Sequence, residues 1–215
     1  MFKDKLRVGI AGLGTVGGGV VKLFESTARL GERLSLTAVS ARSRGRARGV
    51  DIAGYRWFDD PVAMAADPDI DVVVEVIGGG EGVAKNVVET ALARGAHVVT
   101  ANKALLAVHG AALARLAERN GTKLLFEAAV GGGVPMVKAL KESLSGCRAT
   151  AVAGILNGTC NYILTEMEAS GRSFEAVLAD AQRLGYAEAD PTMDVGGFDA
   201  AHKLTLLAAI AFGVL

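Results

Sequence analysis

Leu6-Arg-Val-Gly-Ile-Ala-Gly-Leu-Gly-Thr-Val-Gly17 is the stretch that decides the fold. Leu6 to Ala11 is a short apolar run with the character of a buried strand. From Val20 to Leu30 the apolar residues recur instead at helical spacing. Between them Gly12, Gly14 and Gly17 stand in the pattern G-x-G-x-x-G. In that pattern the first glycine permits a tight turn, the second lets backbone approach a pyrophosphate, and the third lets helix pack closely on strand. The N-terminus of the helix that follows the glycines then attracts phosphate charge, and Thr15 and Val16 join the glycines as expected cofactor contacts. A purely structural glycine turn has the same spacing, but the position between strand and helix near the start of the chain favours dinucleotide binding.

Working outward, Leu34 to Ser40, Asp71 to Ile77, His97 to Thr100 and Lys123 to Phe126 read as further strands, with helical segments at Val83 to Arg94 and Ala111 to Arg119. Strands alternating with helices of this length predict an α/β fold, a Rossmann-type doubly wound parallel sheet. After Glu127 the alternation breaks at Gly131-Gly-Gly133 and Pro135, which puts a domain boundary near 130/131. The remainder reads as an amphipathic segment from Met136 to Ser145, a strand near Ala149 to Leu156, helices at Thr159 to Ala169 and Phe174 to Arg183, a polar loop from Gly185 to Gly197, and a helix from Phe198. One strand cannot satisfy its backbone groups alone, so residues 131–215 are expected to be an incomplete α+β substrate domain.

With 51% hydrophobic residues the 215-residue chain can bury a proper core. Its 23 basic and 23 acidic side chains cancel, so no global field recruits nucleic acid or an anionic membrane. Cys147 and Cys160 have no metal-ligand or disulfide-framework spacing, and Met1 to Arg7 lacks the apolar core of a secretory leader. The late apolar run, Leu204 to Leu215, is too short for a membrane helix. A cytoplasmic protein is expected. His97, His109 and His202 are scattered and suggest no transition-metal site.

An acidic residue that would hold an adenosine ribose is expected about 20 residues after the glycines. It is missing, because the second strand runs out as Val39-Ser-Ala-Arg-Ser-Arg44. Arg42, Ser43 and Arg44 fit a 2′-phosphate better, which favours NADP over NAD. The alternative is a solvated basic loop, to which Arg46 and Arg48 are assigned. Ile77 and Gly78, at the carboxyl end of the Asp71 strand, fall where ligands dock and are expected on the nicotinamide side. Lys103 opens a helix, where a cation is poorly placed unless something anionic binds.

From Gly185 to Lys203 four carboxylates (Glu188, Asp190, Asp194, Asp199) and a lysine surround a Gly-Gly turn. Asp199 and Lys203, four apart on one helix, have an exposed pair of small energetic value as their minor alternative, and the other acids a solvated loop. Cys160 reads as a packing cysteine, since no base partners it.

Together these residues resemble homoserine dehydrogenases. The likeness runs through Gly12-Leu-Gly-Thr-Val-Gly17, Glu75-Val-Ile-Gly-Gly79, Thr100-Ala-Asn-Lys103, Glu127-Ala-Ala-Val-Gly-Gly-Gly-Val-Pro135, Gly154-Ile-Leu-Asn-Gly-Thr-Cys-Asn161 and the segment ending at Lys203. It implies NAD(P)-dependent interconversion of L-homoserine and L-aspartate 4-semialdehyde, in the route to threonine, methionine and isoleucine. By the same resemblance Lys203 is the acid/base lysine at the reacting oxygen, Lys103 lies between nicotinamide and substrate, and Asp199 is near the reacting end. Glu188 receives the substrate amino group with Asp194 close by. Glu127, Val130, Gly132 and Val134 form a monovalent-cation site for sodium or potassium, where the residues alone read equally as a hinge. The resemblance also implies a homo-oligomer and further sheet strands beyond the lysine helix. Two other readings compete: a catalytically silent NADP-binding fragment or sensor, and a different Rossmann oxidoreductase acting on an amino acid or imine.

Overall fold

The computed structural model describes residues 5–213. The chain divides between Gly133 and Val134 into two compact units. In the first, strands β1 (Leu6–Ala11), β2 (Leu34–Ser40), β3 (Arg56–Phe58), β4 (Val72–Glu75), β5 (His97–Thr100) and β6 (Leu124–Leu125) are all parallel and ordered β3-β2-β1-β4-β5-β6. Strand order reverses between β1 and β4, which is where open α/β sheets bind ligands.

Successive side chains of a strand point to opposite faces, so a parallel sheet covered on both sides needs apolar residues in both phases. Val72 packs in one buried cluster with Val8, Ile10, Val21 and Val39. Its neighbour Val73 packs in the other with Met64, Ile70, Leu92, Val98, Leu105 and Leu113. The continuous Val-Val-Val run of β4 is thereby explained.

Helices α1 (Thr15–Ser26), α2 (Ala28–Arg33), α3 (Pro61–Ala66), α4 (Val83–Ala93) and α5 (Lys103–Arg119) complete this unit. The first helix was expected from Val20 to Leu30. It begins at Thr15 because the glycine turn feeds straight into it, and it breaks at Thr27, whose φ of −115° and ψ of 93° are extended. Strand β3 and helix α3 had not been expected: three residues are too few to show a period, although Asp60-Pro61 is a legible helix start, with the Asp60 carboxylate accepting from the Val62 amide at 2.8 Å. Helix α5 starts at Lys103, where the Asn102 side chain caps it by accepting from the Leu105 amide, and runs unbroken through the segment from Ala111 to Arg119.

The second unit comprises α6 (Met136–Lys138), which runs on into a π-helical turn over Ala139–Ser143, then α7 (Gly158–Ser170), α8 (Phe174–Arg183), α9 (Thr192–Val195) and α10 (Phe198–Phe212). Ile163, Val177, Ala181 and Ala187 form its buried cluster. The strand expected at Ala149 to Leu156 is not formed among the described residues. Its β-branched and apolar pattern has no strand among the described residues of this unit to pair with, and a lone strand gains no ladder. No helix among the described residues is long and apolar enough to cross a membrane.

Candidate active site

Register places Ser40, Ala11, Glu75 and Thr100 in one row at the carboxyl ends of β2, β1, β4 and β5. The glycine turn, the Arg42 loop and the Glu75 network all follow from that row. Gly12 follows Ala11 with φ +103°, and its amide donates to the Ser40 carbonyl at 2.9 Å, which sets the sharp turn. A Cβ on Gly17 would lie 1.9 Å from the Gly12 carbonyl oxygen, so that position closes the turn against the helix. A Cβ on Gly14 would meet nothing within 4 Å. Gly14 is also the cap of α1 and offers no side chain to its first amides. Two glycines therefore build the turn, while the middle one keeps open space in front of uncapped helix donors. This fits a pyrophosphate.

Beyond Ser40, which is fully buried, Arg42, Ser43 and Arg44 are exposed. The assignment of Arg48 to a solvated loop is corrected by its contacts. Its guanidinium donates to the carbonyls of Ser43, Arg44 and Arg46 and stacks over Trp57 at 5.6 Å. Arg48 thus folds the loop that displays the other residues. A guanidinium suits this work because its donors are fixed in a plane.

At the end of β4 the sequence reading missed the principal organiser. Glu75 is 0% exposed. Its Oε1 accepts from the amides of Ile77 at 2.8 Å and Gly78 at 3.1 Å, and its Oε2 from Thr100 Oγ1 at 2.6 Å. Burial of a carboxylate is costly unless such donors replace water. Asn102 extends the network, donating through Nδ2 to the Gly79 carbonyl at 2.7 Å and through its amide to Thr100 Oγ1 at 3.0 Å. The signal for Asn102 was present, an Asn immediately before a helix. Lys103, half-buried, opens α5 beside this network.

Glu127 begins a 3-10 turn, and its carbonyl accepts from the Val130 amide at 3.4 Å. Glu127, Val130 and Gly132 belong to the first unit and Val134 to the second. The Val134 carbonyl accepts from the Met136 amide at 2.8 Å. Among the described residues no three His, Cys, Asp or Glu side chains group as a metal site.

In the second unit the acidic loop and the lysine helix are joined by a residue that the sequence reading left without a role. Asn157 caps α7 through Oδ1, which accepts from the Cys160 amide at 2.8 Å, while its Nδ2 donates to Asp194 Oδ1 and Asp199 Oδ2, both at 2.8 Å. Lys203 Nζ donates to Asp199 Oδ2 and to the Leu156 carbonyl, each at 2.7 Å. Thr159 Oγ1 lies 2.7 Å from the Tyr186 carbonyl and 3.1 Å from Asp194 Oδ2. The exposed-pair alternative is excluded, since the Lys203 and Asp199 side chains are only 18% and 11% exposed. Glu188 is not drawn into this cluster by any hydrogen bond. It is exposed, and its carbonyl accepts from Gln182 Nε2 at 3.1 Å. The Cys160 thiol is raised above its ordinary range by burial and then by Asp194 and Asp199, as befits a packing cysteine.

Two family models match: one described as the homoserine dehydrogenase NAD binding domain over residues 12–127, and one described as homoserine dehydrogenase over residues 135–215. The chain belongs to the homoserine dehydrogenase family.

Among curated relatives, the homoserine dehydrogenase of Pseudomonas aeruginosa is 50% identical over 97% of this chain, and that of Neisseria gonorrhoeae 46% identical over 97%. The chain spans 49% and 48% of those two proteins, about half the length of the relatives it matches. Among solved structures, a homoserine dehydrogenase from Thiobacillus denitrificans superimposes with a TM-score of 0.89 at 47% identity, covering 97% of this chain and 49% of that one. A hyperthermophilic archaeal homoserine dehydrogenase in complex with NADPH gives 0.85 at 26% identity, over 97% of this chain and 70% of that one.

Proposed function

We propose that this chain carries the cofactor-binding and substrate-binding parts of an NADP-preferring homoserine dehydrogenase, which interconverts L-homoserine and L-aspartate 4-semialdehyde in the synthesis of threonine, methionine and isoleucine. The observation that carries the reading is Lys203. An ammonium has three N–H donors, and those of Lys203 make two hydrogen bonds, to Asp199 and to the Leu156 carbonyl. One donor is left for a substrate oxygen.

The bound nicotinamide supplies or accepts the hydride. The residues of the chain do the rest. As an aldehyde carbon is reduced, negative charge grows on its oxygen, and the Lys203 ammonium stabilises that charge and delivers the proton. In the other direction Lys203 takes the hydroxyl proton. Asp199 and Leu156 hold Nζ in place, and Asn157 holds Asp199. Asp194 and Glu188 are assigned to the substrate's amino group, and Lys103 to the reacting end of the cofactor. Gly12, Gly14, Thr15, Val16 and Gly17 hold the pyrophosphate, with Arg42, Ser43 and Arg44 on the 2′-phosphate. The NADPH complex of the archaeal relative supports that choice of cofactor. A sodium or potassium ion belongs to the same reading, with oxygens of Glu127, Val130, Gly132 and Val134 as donors.

The deciding experiment is a hydride-transfer assay with homoserine and NADP+ on the parent and on Lys203→Ala. Turnover in the parent and its loss in the variant, with NADPH binding kept in both, supports the reading. NADPH binding without turnover in the parent replaces it with a silent cofactor-binding role.

A further inference from the structure

Glu75 has a consequence for cofactor identity that follows from peptide geometry. In a planar trans peptide the N–H and C=O point in opposite directions, and no peptide among the described residues is cis. The amide of Gly78 shares its peptide with the carbonyl of Ile77. Because that amide is turned inward onto the buried Glu75 carboxylate, the Ile77 carbonyl is turned outward. Ile77 is 41% exposed, and its carbonyl accepts no hydrogen bond from the described residues. The Gly79 carbonyl, by contrast, is held by Asn102. At this point the loop offers an acceptor to its surroundings and keeps its donors for Glu75. That is the reverse of the α1 terminus, where donors face open space.

The two ends of the cradle thus differ in polarity on either side of the β1/β4 switch. With the Arg42 loop beyond β2 on one side, the loop after β4 faces the other end of a dinucleotide. We propose that the Ile77 carbonyl recognises the amino group of the cofactor's carboxamide, and that Glu75 is the positioning residue that holds this carbonyl outward. The proposal rests on the reading of the first unit as an NADP site.

The test is equilibrium binding to the 215-residue chain. Three ligands are compared: NADP+, its 3-acetylpyridine analogue, and adenosine 2′,5′-bisphosphate. The analogue is uncharged at the altered group and keeps the carbonyl attached to the ring, but a methyl replaces the amino donor. The parent is expected to bind it about tenfold more weakly than NADP+, the size of one hydrogen bond lost against an acceptor left unpaired. Glu75→Gln retains a side-chain carbonyl for the two amides and should keep the preference. Glu75→Leu should abolish it while leaving adenosine 2′,5′-bisphosphate binding unchanged.

Equal binding of NADP+ and the analogue by the parent, with the bisphosphate still bound, overturns the proposal and leaves the cofactor reading intact. Failure to bind either NADP+ or the bisphosphate overturns both. A Glu75→Leu chain that keeps the preference overturns the role of Glu75. If that variant does not fold, Glu75→Ala replaces it with the same expected loss of preference, and the parent measurement still decides recognition by the Ile77 carbonyl.

Discussion

Lys203 Nζ donates to Asp199 Oδ2 at 2.7 Å across one turn of α10, in a largely buried pair of the second unit. The pairing fixes a lysine that would otherwise sample many rotamers. Lys203→Ala is expected to lower hydride transfer by about 10²-fold or more, the usual contribution of a placed acid or base, with NADPH affinity unchanged. Lys203→Arg should not restore turnover, because a planar guanidinium does not place one donor where an ammonium did. Full activity in Lys203→Arg would remove Lys203 from the proton-transfer role.

Asn157 supplies one helix cap and holds two carboxylates, so its loss has separable parts. Asn157→Ala removes the cap of α7, worth about 1 kcal/mol. It also deprives Asp194 and Asp199 of a donor, at about 1–3 kcal/mol for buried groups left short of partners. The expected loss of about 2 kcal/mol or more should appear as a lower denaturant midpoint. Asn157→Ser keeps the cap alone and should recover only its share. Equal stability of parent and Asn157→Ala would show that the carboxylates find other partners.

The sheet and the glycine turn were legible because both follow from local rules: continuous apolar runs need two covered faces, and G-x-G-x-x-G needs a turn. The candidate site was legible in its charged members and hidden in its neutral ones. Asp194, Asp199 and Lys203 announced themselves by charge, whereas Asn157 lies far from Asp199 in sequence and is brought to it only by folding. Glu75 stood inside an apolar run with no side-chain partner nearby in sequence, since its nearest donors are the backbone amides of Ile77 and Gly78 and Thr100 belongs to the next strand. The strand expected at Ala149 to Leu156 failed for the converse reason: its local pattern was right, but pairing depends on a neighbour that the described residues do not provide.

Gly14 and Gly17 are the same residue type in one motif with different tasks, and substitution should separate them. Gly17→Ala puts a methyl 1.9 Å from the Gly12 carbonyl oxygen. Backbone must move, so both stability and cofactor binding are expected to fall. Gly14→Ala meets open space. It should fold with a melting temperature close to the parent and still bind NADPH at least about tenfold more weakly, if the methyl occupies the pyrophosphate's place. Unchanged NADPH binding in Gly14→Ala would move the phosphate away from this turn.

Arg42 and Arg48 should act on the same property from different positions. Arg42→Ala is expected to weaken NADPH by about tenfold, the scale of a charge-assisted hydrogen bond, and NADH by less than about twofold. Arg48→Ala releases the carbonyls of Ser43, Arg44 and Arg46 and should shift the NADPH to NADH ratio in the same direction by loosening the loop. Titration of both cofactors into each variant checks this. Parallel losses for NADPH and NADH in Arg42→Ala would mean that the basic loop does not read a 2′-phosphate.

Cys160 and Cys147 should separate in their reaction with iodoacetamide. Cys147 is exposed, whereas Cys160 is partly buried and donates to the Asp194 carbonyl at 3.3 Å. Burial, then the negative charges of Asp194 and Asp199, raise the Cys160 thiol. Since the thiolate is the reacting form, labelling near pH 8 should run well ahead at Cys147 and reach Cys160 only as pH rises or the unit unfolds. The sign of the linkage is the same. A thiol raised in the folded state favours folding while protonated, so its contribution is present below the ordinary thiol range and is lost as pH rises through the raised value. Mass spectrometry of peptides labelled across a pH series reads both sites at once. Faster labelling of Cys160 than of Cys147 in the folded chain would contradict its packing beside Asp194, and with it the closure of the loop that carries Asp194.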